Sequence, residues 1–220
     1  MKLFGKRKSA QNGLAPEMYD SKDMEKVDSF IGQSFGSFDQ VFHEIVSPDI
    51  HVDICMIPPA EGRNYHTLVT MGMGAHKMNV PPELAKYKLE RAELVITLPA
   101  DWKTHEQDEK WYWPIRLLKS TARLPIVCDT WLGWGHTVDN LEAYAENTDF
   151  CGALLIDPMV GENSVCTLKK GESVNFYQLL PIYREEMDYK IANGTDKLLQ
   201  LMADTSFVVD INRANTAKGI

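Results

Sequence analysis

The chain has 220 residues, of which 44% are hydrophobic, 10% are aromatic and 25% are charged. This is enough apolar material to build a core, so the composition excludes a predominantly disordered protein. The 31 acidic and 23 basic residues give a formal net charge of −8, without a basic stripe along the sequence. Nucleic-acid binding depends mainly on clustered lysine and arginine, so we expect no nucleic-acid partner.

The sequence lacks the pattern of a secretory signal, and together with the cysteine spacing this indicates a cytoplasmic protein. The basic octet that begins the sequence is followed by polar residues rather than by the apolar segment of a secretory signal. No window approaches the roughly 18 apolar residues that a membrane-spanning helix needs, so we expect no membrane partner. The cysteines are too irregularly spaced for a zinc ribbon or a disulfide framework, which favours free thiols. They are Cys55, Cys128, Cys151 and Cys166.

The sequence has no internal repeat, linker or clear change in composition that would divide it. Residues 1–15 are polar and basic, so we predict a flexible basic tail at the N-terminus. We predict that residues 16–220 form a single domain.

The first half of the chain predicts one helix and then short strands. Asp20 or Ser21 provides an N-terminal cap, and apolar residues recur at helical spacing until Gly32 and Gly36 end the helix. The apolar residues are Met24, Val27, Phe30 and Ile31. Three β-rich runs separated by turn-forming residues then predict an antiparallel meander. The runs cover residues 41–46, 50–57 and 65–71.

The second half predicts a further strand, a helix and more strands. Apolar and polar residues alternate over residues 91–98, which predicts a strand with one apolar face. Trp113 and Pro114 then predict the start of a helix, with Pro114 at or near its first position and Leu124–Pro125 at its end. Further β-like runs cover residues 150–156, 165–168 and 174–182.

The last helix is predicted to begin near Arg184. Its apolar positions keep one helical phase, and they are Met187, Ile191, Leu198 and Met202. Gly194 interrupts this run, and a glycine inside a helix costs about 1 kcal/mol relative to alanine. Two alternatives stay open: Gly194 lies on the solvated side of one helix, or it divides the segment into two helices.

Two short motifs resemble catalytic or nucleotide-binding patterns but occur in the wrong context. Gly32-Gln-Ser34-Phe-Gly36 matches G-x-S-x-G, yet a nucleophile elbow needs a strand before the serine and a helix after it. Here the predicted order is reversed, which is typical of a glycine-rich helix end. Gly72-Met-Gly74 lacks the third glycine and following helix of a dinucleotide site, and turn geometry explains both glycines.

A set of histidines and carboxylates provides an alternative, enzymatic hypothesis. His51 and Asp53 share one face of a predicted strand, while His43 and His66 lie on flanking runs and Glu93 lies on another strand. If the strand registers aligned, these side chains could converge as metal ligands or as an acid–base pair. The alternative function is therefore a metal-dependent hydrolase that uses His51, Asp53, His66 and Glu93. The same residues also suit the solvated face of an antiparallel sheet.

A cluster of aromatic residues lies around the start of the second predicted helix and beyond its end. Its members are Trp111, Tyr112, Trp113, Trp131 and Trp134. Tryptophan and tyrosine are common in interface hot spots, so this cluster is one candidate for an exposed recognition surface. Packing in the core and at its rim around a short helix is the other interpretation, and the sequence leaves both open.

Three motifs in order and at consistent spacing resemble the Suppressor of fused family. Tyr65-His-Thr-Leu-Val-Thr-Met-Gly-Met-Gly74 is similar to its "T-L-V-T-x-G-M" strand and turn, and Met78-Asn-Val-Pro81 is similar to its methionine-rich loop. Arg91-Ala-Glu-Leu-Val-Ile-Thr-Leu-Pro-Ala-Asp-Trp102 is similar to its "A-E-L-x-I-x-L-P-x-x-W" strand. The resemblance is dense over residues 48–126 and weaker beyond them.

This resemblance implies a non-enzymatic protein-binding domain without a cofactor. Animal members grip an extended peptide of a transcription factor, and bacterial members include immunity proteins of toxin systems. At 220 residues the chain is long enough for the N-terminal domain only, so we expect no second domain of the animal clamp. We interpret the motif residues as structural, and they are Thr67, Leu68, Val69, Thr70, Gly72, Met73, Met78, Glu93, Leu94, Leu98, Pro99 and Trp102.

We therefore expect an α+β fold, with a mixed and mostly antiparallel sheet flanked by helices. The expected function is binding and sequestration of another protein, which is basic or a toxin domain, by addition of a strand to a sheet edge. A bacterial immunity protein that neutralises a toxin is the narrower form of this hypothesis. We expect a monomer or a weak homodimer, in which an aromatic patch pairs with itself.

Overall fold

The computed structural model describes residues 15–159 and 164–220, and an eight-stranded sheet is the main feature of these residues. The strands are Gln40–Phe42 (β1), Asp53–Ile57 (β2), Tyr65–Met71 (β3), Ala92–Pro99 (β4), Thr137–Asp139 (β5), Gly152–Ile156 (β6), Val165–Thr167 (β7) and Ser173–Ile182 (β8). The helices are Ser21–Phe35 (α1), Glu109–Cys128 (α2), Arg184–Asn193 (α3) and Thr195–Leu201 (α4), with short 3-10 helices at Met73–Ala75 and Pro82–Tyr87.

The strands lie in the order β1-β2-β3-β4-β8-β6-β5, and β7 also pairs with β8. Neighbouring strands are antiparallel except for β4 and β8, which are parallel. This confirms the predicted α+β fold with a mixed, mostly antiparallel sheet. The order places β1 at one end of the sheet and β5 at the other, so each of these strands is an edge of the sheet.

Helices cover both faces of the sheet because the central strands are apolar on both sides. Val27 and Ile31 of α1 are fully buried on one face, in a cluster with Val69, Val95 and Phe176. On the opposite face α2 packs its apolar residues against the other side of the same strands. Helices α3 and α4 form a third cluster with β6 and β8. Among the described residues, none of the helices is long and apolar enough to span a membrane.

Helix α1 begins as predicted and ends later. The Asp20 carboxylate caps it by accepting hydrogen bonds from the backbone N–H groups of Lys22 and Asp23. The helix continues through Gly32 to Phe35, so the prediction that Gly32 ends it was wrong. It ends at Gly36, whose φ of 116° is accessible to glycine but not to most other residues.

Helix α2 is longer at both ends than the sequence predicted. It begins at Glu109 after the cap Asp108, so Pro114 lies inside the helix rather than at its first position. A proline leaves the carbonyl four residues earlier without its helical donor. Asn147 Nδ2 donates to that carbonyl, which belongs to Lys110, at 3.1 Å. The helix also passes Pro125, where it was predicted to end, and continues to Cys128.

The first two strands are shorter than predicted. Residues 41–46 were expected to form one strand, but β1 ends at Phe42 and β2 starts only at Asp53. The backbone N–H of Glu44 donates to the Asp53 carboxylate at 2.9 Å, which replaces the strand ladder by a side-chain contact. Residues 43–52 therefore form a loop between the two strands.

Gly194 resolves the alternative that the sequence left open for the last helix. Its φ of 95° divides the segment into α3 and α4. Met187, Leu198 and Met202 are buried together, as their spacing predicted. The prediction for Ile191 was wrong, because this side chain is 72% exposed.

Residue 15 is the one position of the predicted tail, residues 1–15, that the structure describes, and positions 1–14 lie outside the described residues. The division of the chain into this tail and a single domain over residues 16–220 stays a prediction.

Candidate functional site

The motif residues in the centre of the chain converge on the carboxylate of Glu93. Glu93 Oε1 accepts hydrogen bonds from the backbone N–H groups of Gly72 and Gly74, at 2.9 and 3.1 Å. The Tyr19 hydroxyl donates to the same oxygen at 2.7 Å. The Thr70 hydroxyl donates to Oε2 at 2.5 Å and accepts from the Leu94 N–H. The Thr70 side chain therefore bridges β3 and β4 where their backbone ladder ends.

Glu93 is completely buried, and its hydrogen-bond partners in the described chain are uncharged donors. Burial raises the pKa of this carboxyl, and the four hydrogen bonds oppose that effect only in part. Gly72 has a φ of 132°, and a Cβ there would lie 1.9 Å from the His51 carbonyl oxygen. The site thus depends on glycine at position 72, and it is closed to solvent.

The other motif residues lie within the fold. Six of them lie in the core between the sheet and α2, and they are Leu68, Met73, Met78, Leu94, Leu98 and Trp102. Val69 lies in the core under α1, Thr67 is buried, and Pro99 is half-buried. These motif residues are therefore buried or half-buried.

The four residues of the metal hypothesis do not meet at one point. His51 Nε2 contacts the Asp53 carboxylate at 3.1 Å, near the loop after β1. His66 lies five residues along β3 from the register partner of Asp53, and it contacts the Ala100 carbonyl. Glu93 is enclosed by its own donors. Within residues 15–159 and 164–220, histidine, cysteine and acidic side chains form no group of three that could hold a metal ion.

A network of charged and polar side chains holds the loop 43–52 against α2. Arg123 donates to the Glu44 carboxylate at 2.7 Å and to Asp49 at 3.1 Å. Ser47 also donates to Glu44, at 2.9 Å, and its hydroxyl lies 2.8 Å from His51 Nδ1. Because the Ser47 proton is directed at a carboxylate that Arg123 holds, this arrangement fixes the loop and does not expose a nucleophile.

The strand β5 provides a free edge with unpaired backbone groups. The Leu155 N–H donates to the His136 carbonyl, and the Asn140 N–H donates to the Cys151 carbonyl, so residues 136 and 140 face β6. In an antiparallel pair, alternate residues face the partner strand, which directs the backbone groups of Thr137 and Asp139 outward. No described strand pairs with β5 on that side.

A groove of about 430 Å³ runs beside this edge, between the end of α2 and α3. One wall is apolar, and its residues are Leu124, Cys128, Trp131, Leu132 and Val138. The polar part consists of Thr130, His136, Thr137, Asp139 and Lys190. An unpaired strand edge above an apolar groove has the features by which sheet edges bind extended peptides.

Two side chains of the groove have fixed charge states. Asp139 forms two hydrogen bonds with the Arg184 guanidinium, at 2.7 and 2.8 Å, which hold its pKa below the usual range. Burial and the nearby Lys190 charge lower the pKa of His136, so its imidazole is neutral at pH 7. His136 also packs edge-on against Trp131, with ring centroids 4.3 Å apart. Lys190 is the remaining charged side chain among the residues that line the groove.

Exposed apolar side chains lie beside the groove residues in the sequence. They are Val127, Trp134, Leu141 and Ile191. The aromatic cluster of the sequence analysis is thus divided between the two interpretations. Trp113 is fully buried and Trp111 packs at the rim of the core, whereas Trp131 lines the groove and Trp134 is exposed.

Sequence reasoning did not predict β5. The strand has three residues, and the signal for it is only Thr137 and Val138 between Gly135 and Asn140. Gly135 has a φ of 78°, and a Cβ there would meet Thr195 of α4 at 3.0 Å. The glycine thus lets the chain turn closely past α4 into β5.

Solved structures with this fold come from bacteria and animals. A SUFU homolog from Neisseria gonorrhoeae FA 1090 superimposes with a TM-score of 0.62 at 18% identity, covering 92% of this chain and 98% of that chain. The crystal structure of a Sufu–Fu complex has a TM-score of 0.64 at 12% identity, over 92% and 93% of the chains. Drosophila Suppressor of Fused has a TM-score of 0.54 at 14% identity, and the match covers 75% of this chain and 42% of that one.

The sequence comparisons agree with the structural ones. The uncharacterized protein UU111 of Ureaplasma parvum serovar 3 is 28% identical over 205 residues, which cover 91% of this chain and 98% of that protein. The family model described as Suppressor of fused protein (SUFU) matches residues 48–214. This span exceeds half of the chain and confirms the resemblance found in the sequence. The protein belongs to the Suppressor of fused family.

Proposed function

We propose that this protein binds another protein by adding an extended segment of it to the edge of β5. The observation that carries this proposal is the pair of outward backbone positions, Thr137 and Asp139, directly above an apolar groove. Each outward residue offers one N–H donor and one carbonyl acceptor to an incoming strand. Backbone bonds of this kind supply affinity, and pockets for alternate side chains supply specificity.

The groove specifies the kind of segment that fits. Trp131 and Leu132 form an apolar wall, so the segment carries an aliphatic or aromatic side chain at the position that faces them. Asp139 is paired with Arg184 and His136 is neutral, so neither provides a free charge for the ligand. The contact with the segment thus combines backbone hydrogen bonds with burial of one apolar side chain.

The narrower proposal is that the partner is basic and is sequestered, as an immunity protein sequesters a toxin. The formal net charge of −8 supports a basic partner, because charge complementarity accelerates encounter more than it raises affinity. Family membership supports the binding role, since one similar structure is that of a Sufu–Fu complex. No observation favours the alternative of a metal-dependent hydrolase.

Affinity capture with variants of the two sheet edges tests this proposal. Thr137→Pro removes an outward N–H at β5, a position where an edge strand tolerates proline. The matched control is Val41→Pro in β1, at the opposite edge. We expect a basic protein from the native host, or the product of a neighbouring gene, to be retained by the wild type and by Val41→Pro.

The same protein should be lost from Thr137→Pro, and it should bind the purified wild type in a stable one-to-one complex without being chemically changed. Thermal unfolding confirms that each variant is folded before capture. Equal retention by all three proteins would contradict the role of β5. Turnover of the captured partner would contradict a sequestering role.

A further inference from the structure

The second sheet edge, β1, has a symmetric arrangement that the proposed function does not use. The register pairs Val41 with Cys55, Cys55 with Val69 and Val69 with Val95. The backbone N–H of Leu94 donates to the Thr70 hydroxyl, so the backbone polar groups of Leu94 point toward β3. Those of the next residue, Val95, point away from β3. Alternation across the antiparallel strands then directs the backbone N–H and C=O of Val41 away from β2, to the free edge.

An acidic and an imidazole side chain lie at equal distances on either side of Val41. Asp39 precedes β1 by one residue and His43 follows it by one residue, so each is two positions from Val41. Side chains two residues apart along a strand share a face. Asp39 is exposed, and the His43 side chain is 73% exposed, although its Nδ1 contacts Asp53 at 3.0 Å.

We propose that this protein forms a homodimer through β1, in which two copies pair antiparallel about a two-fold axis at Val41. The two Val41 residues exchange N–H···O=C hydrogen bonds, and the sheet continues from one copy into the other. In this register each His43 faces Asp39 of the second copy, on the same face of the sheet. The two copies thus pair an imidazole with a carboxylate at both ends of the contact.

Two exposed apolar residues follow β1 in the chain. Ile45 is 97% exposed and Val46 is 78% exposed, and both follow β1 in the loop that the Arg123 network holds in place. A held loop with two exposed aliphatic side chains presents apolar area to a partner at little cost in ordering. Among the strands, helix α1 makes its main contacts with β3 and β7.

Sedimentation velocity of the purified full chain over a range of concentrations tests the homodimer. We expect a concentration-dependent monomer–dimer equilibrium in the wild type. Asp39→Lys places lysine opposite His43, and His43→Glu places glutamate opposite Asp39, so each variant alone should dimerise about tenfold or more weakly. An equimolar mixture of the two variants restores attraction at both ends, and we expect a heterodimer of at least wild-type affinity.

Val41→Pro removes the central backbone bonds, and Thr137→Pro serves as its control at the other edge. We expect the dimer to be lost in Val41→Pro and retained in Thr137→Pro, the reverse of their effects on partner capture. A wild type that stays monomeric at every concentration would overturn the proposal, as would a dimer that the mixture of charge variants does not restore. These measurements need no partner protein, so their failure is distinct from a failure of the β5 proposal.

Discussion

Two glutamates in the described part of the chain, Glu93 and Glu186, are completely buried, and their hydrogen-bond donors differ in charge. Glu186, in the first turn of α3, accepts two hydrogen bonds of 2.6 Å from the Arg213 guanidinium, together with bonds from Tyr183 and Thr216. Glu93, in the centre of the sheet, accepts four hydrogen bonds from uncharged donors. The two carboxylates are equally hidden from water, but only Glu186 has a cation beside it.

The pKa values of the two carboxyls move in opposite directions for this reason. Burial alone would raise the pKa of Glu186, but the hydrogen bonds and charge of Arg213 outweigh burial and lower it. At Glu93 burial prevails over the neutral donors, and the pKa is raised. The pKa is thus lowered at the site that contains a cation and raised at the site whose donors are all neutral.

The largest effect should follow from removing the cation of the Glu186 site. Arg213→Met keeps an apolar contact with the rings of Phe150 and Tyr183, on which the guanidinium lies, but leaves Glu186 unpaired. Breaking a buried ion pair in this way costs about 3–5 kcal/mol. Urea unfolding at pH 7 measures the loss. The control Arg184→Met breaks an exposed pair and should cost much less than Arg213→Met. Similar losses in the two variants would show that the Glu186 site gains nothing from burial of its cation.

A smaller loss is expected at the Glu93 site. Glu93→Gln keeps the shape of the side chain and one acceptor oxygen for Gly72, Gly74 and Tyr19, but the Thr70 hydroxyl loses its acceptor. We expect about 1–2 kcal/mol of destabilisation by urea unfolding. The matched variant Glu186→Gln should cost about 3 kcal/mol or more, because it leaves the Arg213 charge without its counter-ion. If Glu93→Gln costs more than Glu186→Gln, the proposed difference between the sites is wrong.

One donor of the Glu93 site can be removed by itself. Tyr19→Phe leaves the ring in the core under α1 and removes the hydroxyl that donates to Glu93 Oε1. Because the Gly72 and Gly74 N–H groups still bind that oxygen, we expect a loss of only about 1 kcal/mol in the free energy of unfolding. Tyr87→Phe, at an exposed tyrosine, is the control and should change stability by less than about 0.5 kcal/mol. Equal effects in the two variants would argue against a contribution from the Tyr19–Glu93 bond.

The smallest expected effect is a difference in how Glu93 and Glu186 contribute to the pH dependence of stability. Glu186 has a lowered folded pKa, so its stabilisation is present above its unfolded pKa of about 4.3 and is lost as the pH falls through the folded value. Glu93 has a raised folded pKa, so its contribution is present below the unfolded pKa and is lost as the pH rises through the folded value. Each slope is at most about 1.4 kcal/mol per pH unit.

Unfolding free energies measured across acidic and neutral pH test these signs. Glu186→Gln should flatten the acid side of the wild-type profile, and Glu93→Gln should flatten the decline toward higher pH. A profile in which either substitution flattens the opposite side would contradict the assigned direction of that pKa.

Sequence patterns predicted the elements well where a run was long or strongly periodic. The seven residues of β3 and the ten of β8 were found within one residue, and the Asp20 cap of α1 was confirmed. Errors arose where a tertiary contact decides the end of an element. Asn147 satisfies the carbonyl that Pro114 frees, so the helix starts earlier than proline chemistry predicts, and the contact of Glu44 with Asp53 ends β1 early.

The motifs identified the family correctly, but they did not reveal the candidate binding edge. A three-residue strand such as β5 carries too little periodicity to stand out from a loop. Its identity as an edge depends on pairing with β6, which follows in the chain, and on the order of the whole sheet. The metal hypothesis failed geometrically for a related reason, because a shared strand face does not specify the register between strands.

By itself, the sequence determined the family, the α+β class and the inner face of most elements, because these follow from local periodicity and from motif order. Only the tertiary structure decided that Thr70, Gly72 and Glu93 meet in one buried site, and that β1 and β5 are left as free edges. Hydrogen bonds between residues far apart in the chain decide both features. Their partners are set by strand order and register, which no local pattern encodes.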